Sequence, residues 1–269
     1  MTERTARARA HQDDGATPSA TPRHVTEGWA TAGGVRVHFL DAGEGAEGGE
    51  HLAPVLVVPG FAEAAEEYRW LVEALAPRRA LAMSARGRGR SDAPRSGYRF
   101  EDHVDDIDAV VSAAALGPAV LVCFSRGSSY GLGFALRRPD AVAGLVIGDY
   151  HARHVGLAPA FVEHQRTASI RGVPVRERMP DHAVAGVQLE SVEVPLWDRL
   201  AQLRCPVLLV RGGRRGVLVD DAVEARYREA LPGIEVAMLP RAGHDLWSRD
   251  RAAYLGVLVP FLEKVDAAG

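Results

Sequence analysis

The chain is poor in cysteine, in long apolar runs and in charge of one sign, and each shortage excludes something. Its two cysteines are Cys123 and Cys205. Both border apolar runs, with neither a disulfide framework nor the spacing of a metal site around them. No apolar run approaches the roughly 20 residues that a membrane-spanning helix needs. Lys plus Arg number 32 against 35 for Asp plus Glu, for a formal net charge of −3. The arginines are interspersed with acids, so there is no electrostatic case for a nucleic-acid partner. Arg4, Arg7 and Arg9 are followed by no apolar segment, which argues against a secretory signal and for a cytoplasmic protein. Residues 1–24 are polar and rich in Ala, Thr and Pro, and are expected to form a disordered extension without a role of their own.

What is present is enough apolar residue, 47% of 269 positions, for one large α/β domain. Trp29-Ala30-Thr31 and Val35 to Leu40 read as short strands joined by the turn Gly33-Gly34, with a Gly/Glu-rich loop, 43–50, after them. Val55 to Val58, Arg79 to Met83, Ala119 to Val122, Ala143 to Ile147, Pro206 to Val210 and Ile234 to Leu239 are buried strands by the same reading. Between them Ala65–Leu75, His103–Ala115 and Ala222–Leu231 have helical spacing, and Arg251–Val265 closes the chain. Asp221 and Glu224 have the spacing of a capping box. Strands alternating with helices predict a mainly parallel sheet covered on both faces, with ligands bound beyond the carboxyl ends of the strands. Core residues are expected at 25–150 and 204–266. From 151 to 203 strand-like runs stop and Arg, His and Pro become frequent, which predicts a helical or irregular insertion.

The sharpest chemical signal is Cys123-Phe124-Ser125-Arg126-Gly127. A buried strand runs into a small-x-Ser-x-small turn and a helix follows. Such a turn pushes the serine hydroxyl out of the sheet, and the residues two before and two after must be small. Gly127 satisfies this; Cys123 stands where glycine is usual, and is read as a buried small side chain.

The chain resembles the α/β-hydrolase-fold superfamily from about Glu27 to Val265, through four segments in the right order. Gly60-Phe61 resembles the oxyanion segment, with Pro59 in place of the usual histidine. Arg86-Gly87-Arg88-Gly89-Arg90-Ser91 resembles the loop after the next strand. Cys123 to Gly127 is similar to the nucleophile elbow, and Ala242-Gly243-His244 to the segment that carries the histidine. The insertion at 151–203 lies where that superfamily places a cap. The resemblance implies Ser125 as nucleophile, His244 as general base, and the backbone N–H groups of Phe61 and Arg126 as oxyanion donors. A serine rather than an aspartate argues against dehalogenase or epoxide hydrolase chemistry.

The departure is the acid. Its usual place is the turn after Val207 to Val210, which here reads Gly212-Gly213-Arg214-Arg215-Gly216 and holds no carboxylate. Asp149, at the end of the strand Leu145-Val146-Ile147, is the better candidate, an alternative position that some members use. Asp220, Asp221 and the absence of any acid compete with it, and Asp149 could instead cap a helix or pair with Arg153. Tyr150, Phe161 and Trp197, with Met179 and Leu196, are expected to line a substrate pocket. His151, His154, His164 and His182 lack ligand spacing, so no metal and no cofactor are expected.

These residues imply a serine hydrolase, esterase- or thioesterase-like, acting on a small or medium carboxylic ester, thioester or lactone. A C–C bond hydrolase, acyltransferase or cyclase on the same pair is the alternative, and a non-catalytic binding protein the third reading. The partner is a small-molecule acyl substrate.

Overall fold

Eight strands form one sheet in the computed structural model, which describes residues 24–43 and 48–268. The polar N-terminal stretch, save residue 24, and the middle of the Gly/Glu-rich loop lie outside the described residues. In chain order the strands are β1 (Val25–Ala32), β2 (Val35–Ala42), β3 (Val55–Val58), β4 (Ala80–Met83), β5 (Ala119–Phe124), β6 (Val142–Gly148), β7 (Val207–Gly212) and β8 (Glu235–Leu239). Their order across the sheet is β1-β2-β4-β3-β5-β6-β7-β8. β2 is antiparallel to both neighbours, and the rest run parallel. The β1–β2 hairpin closes on Gly33 and Gly34 at φ 57° and 84°. A two-residue turn matched to strand twist needs positive φ at both places.

Every residue of β3, β4 and β5 is buried, the mark of strands covered on both faces. Alternation then divides them between two cores. Leu56, Val58, Leu81, Met83, Leu121 and Cys123 face one core, packed with α2 (Phe100–Ala113) and α3 (Arg126–Arg137). Val55, Val57, Ala80, Ala82, Val120 and Val122 face the other, which the helices α1 (Arg69–Ala74) and α8 (Arg251–Ala268) close. Between β6 and β7 come α4 (Pro159–Thr167), α5 (Val175–Arg178) and α6 (Asp181–Glu190), and α7 (Asp221–Ala230) lies between β7 and β8. Among the described residues no helix is long and apolar enough to cross a membrane.

Several local expectations need correction. The helix expected over Ala65–Leu75 begins as a 3-10 turn, Ala65–Tyr68, whose first N–H donates to Ser84 Oγ. α2 starts at Phe100, before the expected His103. The cap of α7 is Asp220, whose carboxylate accepts the Val223 N–H at 2.9 Å. Asp221 and Glu224 instead both take Arg211, so no capping box forms between them. The 151–203 segment is not free of strands: Ser169–Ile170 pairs with Val173–Pro174, and Arg153–His154 with Val194–Pro195. Two-residue strands are too short to leave a period in the sequence.

Cys123 at the elbow is accommodated from α3. A Cβ at Gly131 would stand 2.2 Å from the Cys123 Sγ, so a glycine one turn into the helix makes room for the sulfur. Gly127 is needed for a different reason: its Cβ would meet the Pro59 carbonyl oxygen at 2.2 Å. Gly131→Ala is expected to lose about 1–3 kcal/mol of stability in urea denaturation, the usual cost of overpacking. Cys123→Ala in the same chain should recover most of that loss, and an undiminished loss in the double variant would contradict this account.

Candidate active site

Ser125 sits between the end of β5 and the first turn of α3 at φ 50°, ψ −131°. An L-residue is strained there, and the strain is held by the Ser125 N–H donating to the Gly148 carbonyl at 2.8 Å. The turn aims Oγ away from the sheet and towards His244. The Ser125 hydroxyl donates to His244 Nε2 at 3.0 Å, and His244 Nδ1–H donates to Asp149 Oδ2 at 2.7 Å. The carboxylate can only accept, so the proton belongs on Nδ1 and leaves Nε2 as an acceptor facing the serine.

Asp149 follows β6 at φ 43° and is fully buried. Three hydrogen bonds hold its carboxylate: His244 Nδ1–H and, at 3.0 Å each, the backbone N–H groups of Leu218 and Val219. The loop after β7, whose turn from Gly212 to Gly216 lacks an acid, thus supplies donors to a carboxylate that stands one strand over. The competing assignments for Asp149 do not match its contacts. Asp220 caps α7 and Asp221 pairs with Arg211. Arg153 pairs with Glu193.

The N–H of Arg126 is at the first position of α3, where a helix has no partner of its own to offer. Phe61 lies in the turn after β3, and that turn is fixed from two sides. Arg88 Nε donates to the Phe61 carbonyl at 2.8 Å. The Gly60 N–H donates to Glu63 Oε2 at 2.8 Å, and the Tyr68 hydroxyl donates to the same oxygen at 2.6 Å. Arg88 is itself buried against His103 Nε2 at 2.8 Å. Burial and the nearby arginines push the His103 pKa well below its ordinary value, so its ring is a neutral acceptor there.

Arg171 joins this turn to the insertion and to the histidine loop. It occupies, with Gly172, the two-residue turn between Ser169–Ile170 and Val173–Pro174, both at positive φ. Its guanidinium reaches Glu63 at 2.6 Å, Asp245 at 2.9 Å and Glu67 at 3.3 Å, and lies over the Trp247 ring. Burial works against that charge, but Glu63, Tyr68 and Asp245 outweigh it and raise the Arg171 pKa. In the same way burial pushes the Asp245 carboxyl up, while Ser248 and Arg171 together hold it below its ordinary value.

Two cavities meet at Ser125. The larger, about 520 Å³, is bordered by Phe124, His244, Gln165, Ile170, Glu63 and Asp245. The smaller, about 310 Å³, is bordered by Arg126, Tyr150, Arg153, Val155, Leu157 and Leu218. Phe61 and Phe161 line both, packed edge to face at 4.8 Å. Tyr150 and Phe161 therefore border the serine. Trp197 does not: it packs on Tyr227 at 4.7 Å beneath Arg226 and borders a separate surface hollow. Met179 and Leu196 are fully buried in packing clusters. Aromatic and apolar residues satisfy a core as readily as a pocket, and residue type alone does not separate the two.

His164 borders the larger cavity and His151 the smaller, while His154 is buried against Arg126 and His182 meets the Ala93 carbonyl. Among the described residues no group of three or more His, Cys, Asp or Glu is placed to hold a metal. Burial raises the Cys123 thiol pKa, leaving it inert beside the serine. Glu63 and the contacts of Arg88 and Arg171 are not legible in the sequence. Arg88 lies in the quoted Arg-Gly loop, but its partner is a backbone carbonyl 27 residues away, and no local spacing signals that contact.

The chain has the α/β-hydrolase fold, and a family model described as the alpha/beta hydrolase fold matches residues 53–162. It is similar to the N-formylmaleamate deformylase of Pseudomonas putida, 25% identical over 267 residues, covering 89% of this chain and 97% of the relative. Among solved structures it is similar to an esterase of Exiguobacterium antarcticum, with TM-score 0.74, 18% identity and coverage of 87% of this chain and 98% of that one. It is also similar to an E-2-(acetamidomethylene)succinate hydrolase, with TM-score 0.71, 20% identity and coverage of 89% and 100%.

The strained serine gives a direct test of the elbow. Ser125→Ala and Ser125→Gly both remove Oγ, but only glycine relaxes at φ 50°. The glycine variant is expected to be more stable than the alanine variant by about 1 kcal/mol in urea denaturation, although glycine is ordinarily the worse choice. A less stable glycine variant would contradict the strain.

Proposed function

We propose that this chain is a serine hydrolase that cleaves a small or medium carboxylic ester, thioester or lactone through an acyl-enzyme on Ser125. The observation that carries this reading is the unbroken hydrogen-bond chain from Ser125 Oγ through His244 to the buried Asp149. A serine hydroxyl is a weak nucleophile until a base takes its proton. In the first half-reaction Oγ attacks the substrate carbonyl carbon and its proton passes to His244 Nε2. The imidazolium is stabilised by Asp149, which also keeps the ring in the required tautomer.

The carbonyl oxygen becomes an oxyanion, held by the N–H groups of Phe61 and Arg126. One such donor is worth about 2.7–4 kcal/mol in the transition state. Side-chain changes at Phe61 and Arg126 leave those N–H groups in place, so they act on substrate fit first. Collapse of the intermediate breaks the bond to the leaving group, which departs with the proton from His244. Water then gives its proton to His244 and attacks the acyl-enzyme, and the proton returns to Oγ as the acid is released. The chain, the substrate and water carry every proton and electron pair of the cycle.

Hydrolysis is favoured over acyl transfer or cyclisation by the exposure of the base. The His244 side chain is 35% exposed and borders the larger cavity, so the imidazole is open to water. Likeness to a deformylase and to an esterase supports the same direction.

Asp149→Asn keeps the shape but gives His244 an ambiguous partner. It is expected to lower kcat by about 10³–10⁴-fold against an activated ester while the far-ultraviolet circular dichroism stays unchanged. Turnover within tenfold of the parent chain would reject Asp149 as the orienting acid.

A further inference from the structure

The two cavities at Ser125 differ in charge, and the position of His244 assigns them. His244 borders the larger cavity and not the smaller. In the cycle proposed above its Nε2 must reach the leaving-group atom. The leaving group therefore occupies the larger cavity and the acyl chain the smaller.

The acyl side is short of negative charge. No Asp or Glu borders the smaller cavity, whereas Arg126 and Arg153 both do. Arg126 is 2% exposed, yet its hydrogen-bond partners are neutral: the Tyr130 hydroxyl at 3.0 Å, the Val155 carbonyl at 3.0 Å, His154 Nε2 at 2.9 Å and Ser191 Oγ at 2.5 Å. His154 brings no charge to that contact, since burial and then Arg126 itself push its pKa down to about 3. Arg88, close enough for its charge to be felt at Arg126, is also buried on neutral partners: the carbonyls of Phe61 and Arg86, and His103. Burying a cation is costly unless an anion pairs with it. Elsewhere this chain obeys the rule: buried Arg86 meets Asp106 at 2.6 Å, and Arg78 meets Asp266 at 2.5 Å. Among the described residues, Arg88 and Arg126 are the two buried guanidinium groups with no carboxylate in hydrogen-bond or ion-pair contact.

Arg126 spends its N–H groups on the protein, so it acts as a fixed positive charge. Arg153 is the adjustable donor. Its side chain is 40% exposed and its one ion pair among the described residues, to Glu193, is loose at 3.5 Å. Tyr150, also at the cavity wall, adds a hydroxyl beside Arg126. Val155, Leu157, Phe161 and Leu218 make the rest of the wall apolar. The volume of about 310 Å³ equals roughly ten waters at their liquid volume, room for an acyl chain of a few carbons with a polar end.

We propose that the smaller cavity is an acyl-side subsite for an acyl group that ends in a carboxylate, whose charge is met by Arg126 and Arg153. The substrate class is then a half-ester, half-thioester or similar acyl derivative of a short dicarboxylic acid. This rests on the serine-hydrolase reading, and the test separates the two.

The test compares the mono-para-nitrophenyl ester of adipic acid with para-nitrophenyl hexanoate, which share chain length and leaving group and differ in the terminal charge. With the enzyme-free rate subtracted, the parent chain is expected to prefer the adipate ester in kcat/KM by about tenfold or more, the effect of one charge-assisted contact. Arg153→Gln should cut that preference to about threefold, mainly through the KM of the adipate ester. Arg126→Met should abolish it; if that variant does not fold, the parent preference and Arg153→Gln decide. Hydrolysis of both esters with a preference of one or below overturns the subsite and leaves the hydrolase reading standing. A preference that Arg153→Gln leaves untouched also overturns it. Hydrolysis of neither ester overturns the hydrolase reading, and the subsite with it.

Discussion

The hydrogen bond from His244 Nδ1 to Asp149 is the contact on which the rest of the site depends. It fixes which nitrogen of the ring faces Ser125, and it does so from a carboxylate with no exposure to water. A buried carboxylate is tolerable only when its lone pairs are used. Here β6 delivers Asp149, the neighbouring loop delivers the Leu218 and Val219 N–H groups, and the histidine loop delivers the imidazole. Three segments distant in sequence converge because β6 and β7 are adjacent and parallel, with Gly148 paired to Val210. The Asp149 N–H donating to the Val210 carbonyl locks that register at the site itself.

A second set of contacts fixes the opposite wall. Glu63 orients the Gly60 N–H, Arg88 holds the Phe61 carbonyl, and Arg171 ties Glu63 to Asp245, next to His244. The Phe61 turn, the inserted segment and the histidine loop are thereby linked through one guanidinium. An Arg-centred cluster suits this task, since its planar fork makes several directed bonds at once. The charge bookkeeping differs on the two sides of Ser125. On the leaving-group side Arg171 is surrounded by carboxylates, while on the acyl side Arg126 has none.

Much of the fold was legible because burial on both faces leaves near-continuous apolar runs, as in Val55 to Val58 and Ala119 to Val122. The elbow was legible because its geometry restricts which residues can flank Ser125, and the proximity of Asp149 to His244 followed the reading of a turn that lacks an acid. Trp197 was placed wrongly because a large aromatic carries no mark of which side of a helix layer it will enter. The cap of α7 was one residue off, since adjacent Asp220 and Asp221 offer the same chemistry and only backbone geometry selects between them. The contacts of Glu63, Arg88 and Arg171 were invisible for a different reason. Apart from Gly60 and Tyr68 beside Glu63 and Arg86 beside Arg88, their partners lie far along the chain and are brought near by the fold.

The proposed chemistry requires that Ser125 be a nucleophile activated by His244. Intact-mass analysis after treatment with a fluorophosphonate tests it most directly. One adduct per folded chain is expected, mapped by peptide sequencing to Ser125 and lost in His244→Ala. A folded chain that hydrolyses an activated ester yet carries no adduct on Ser125 would contradict it.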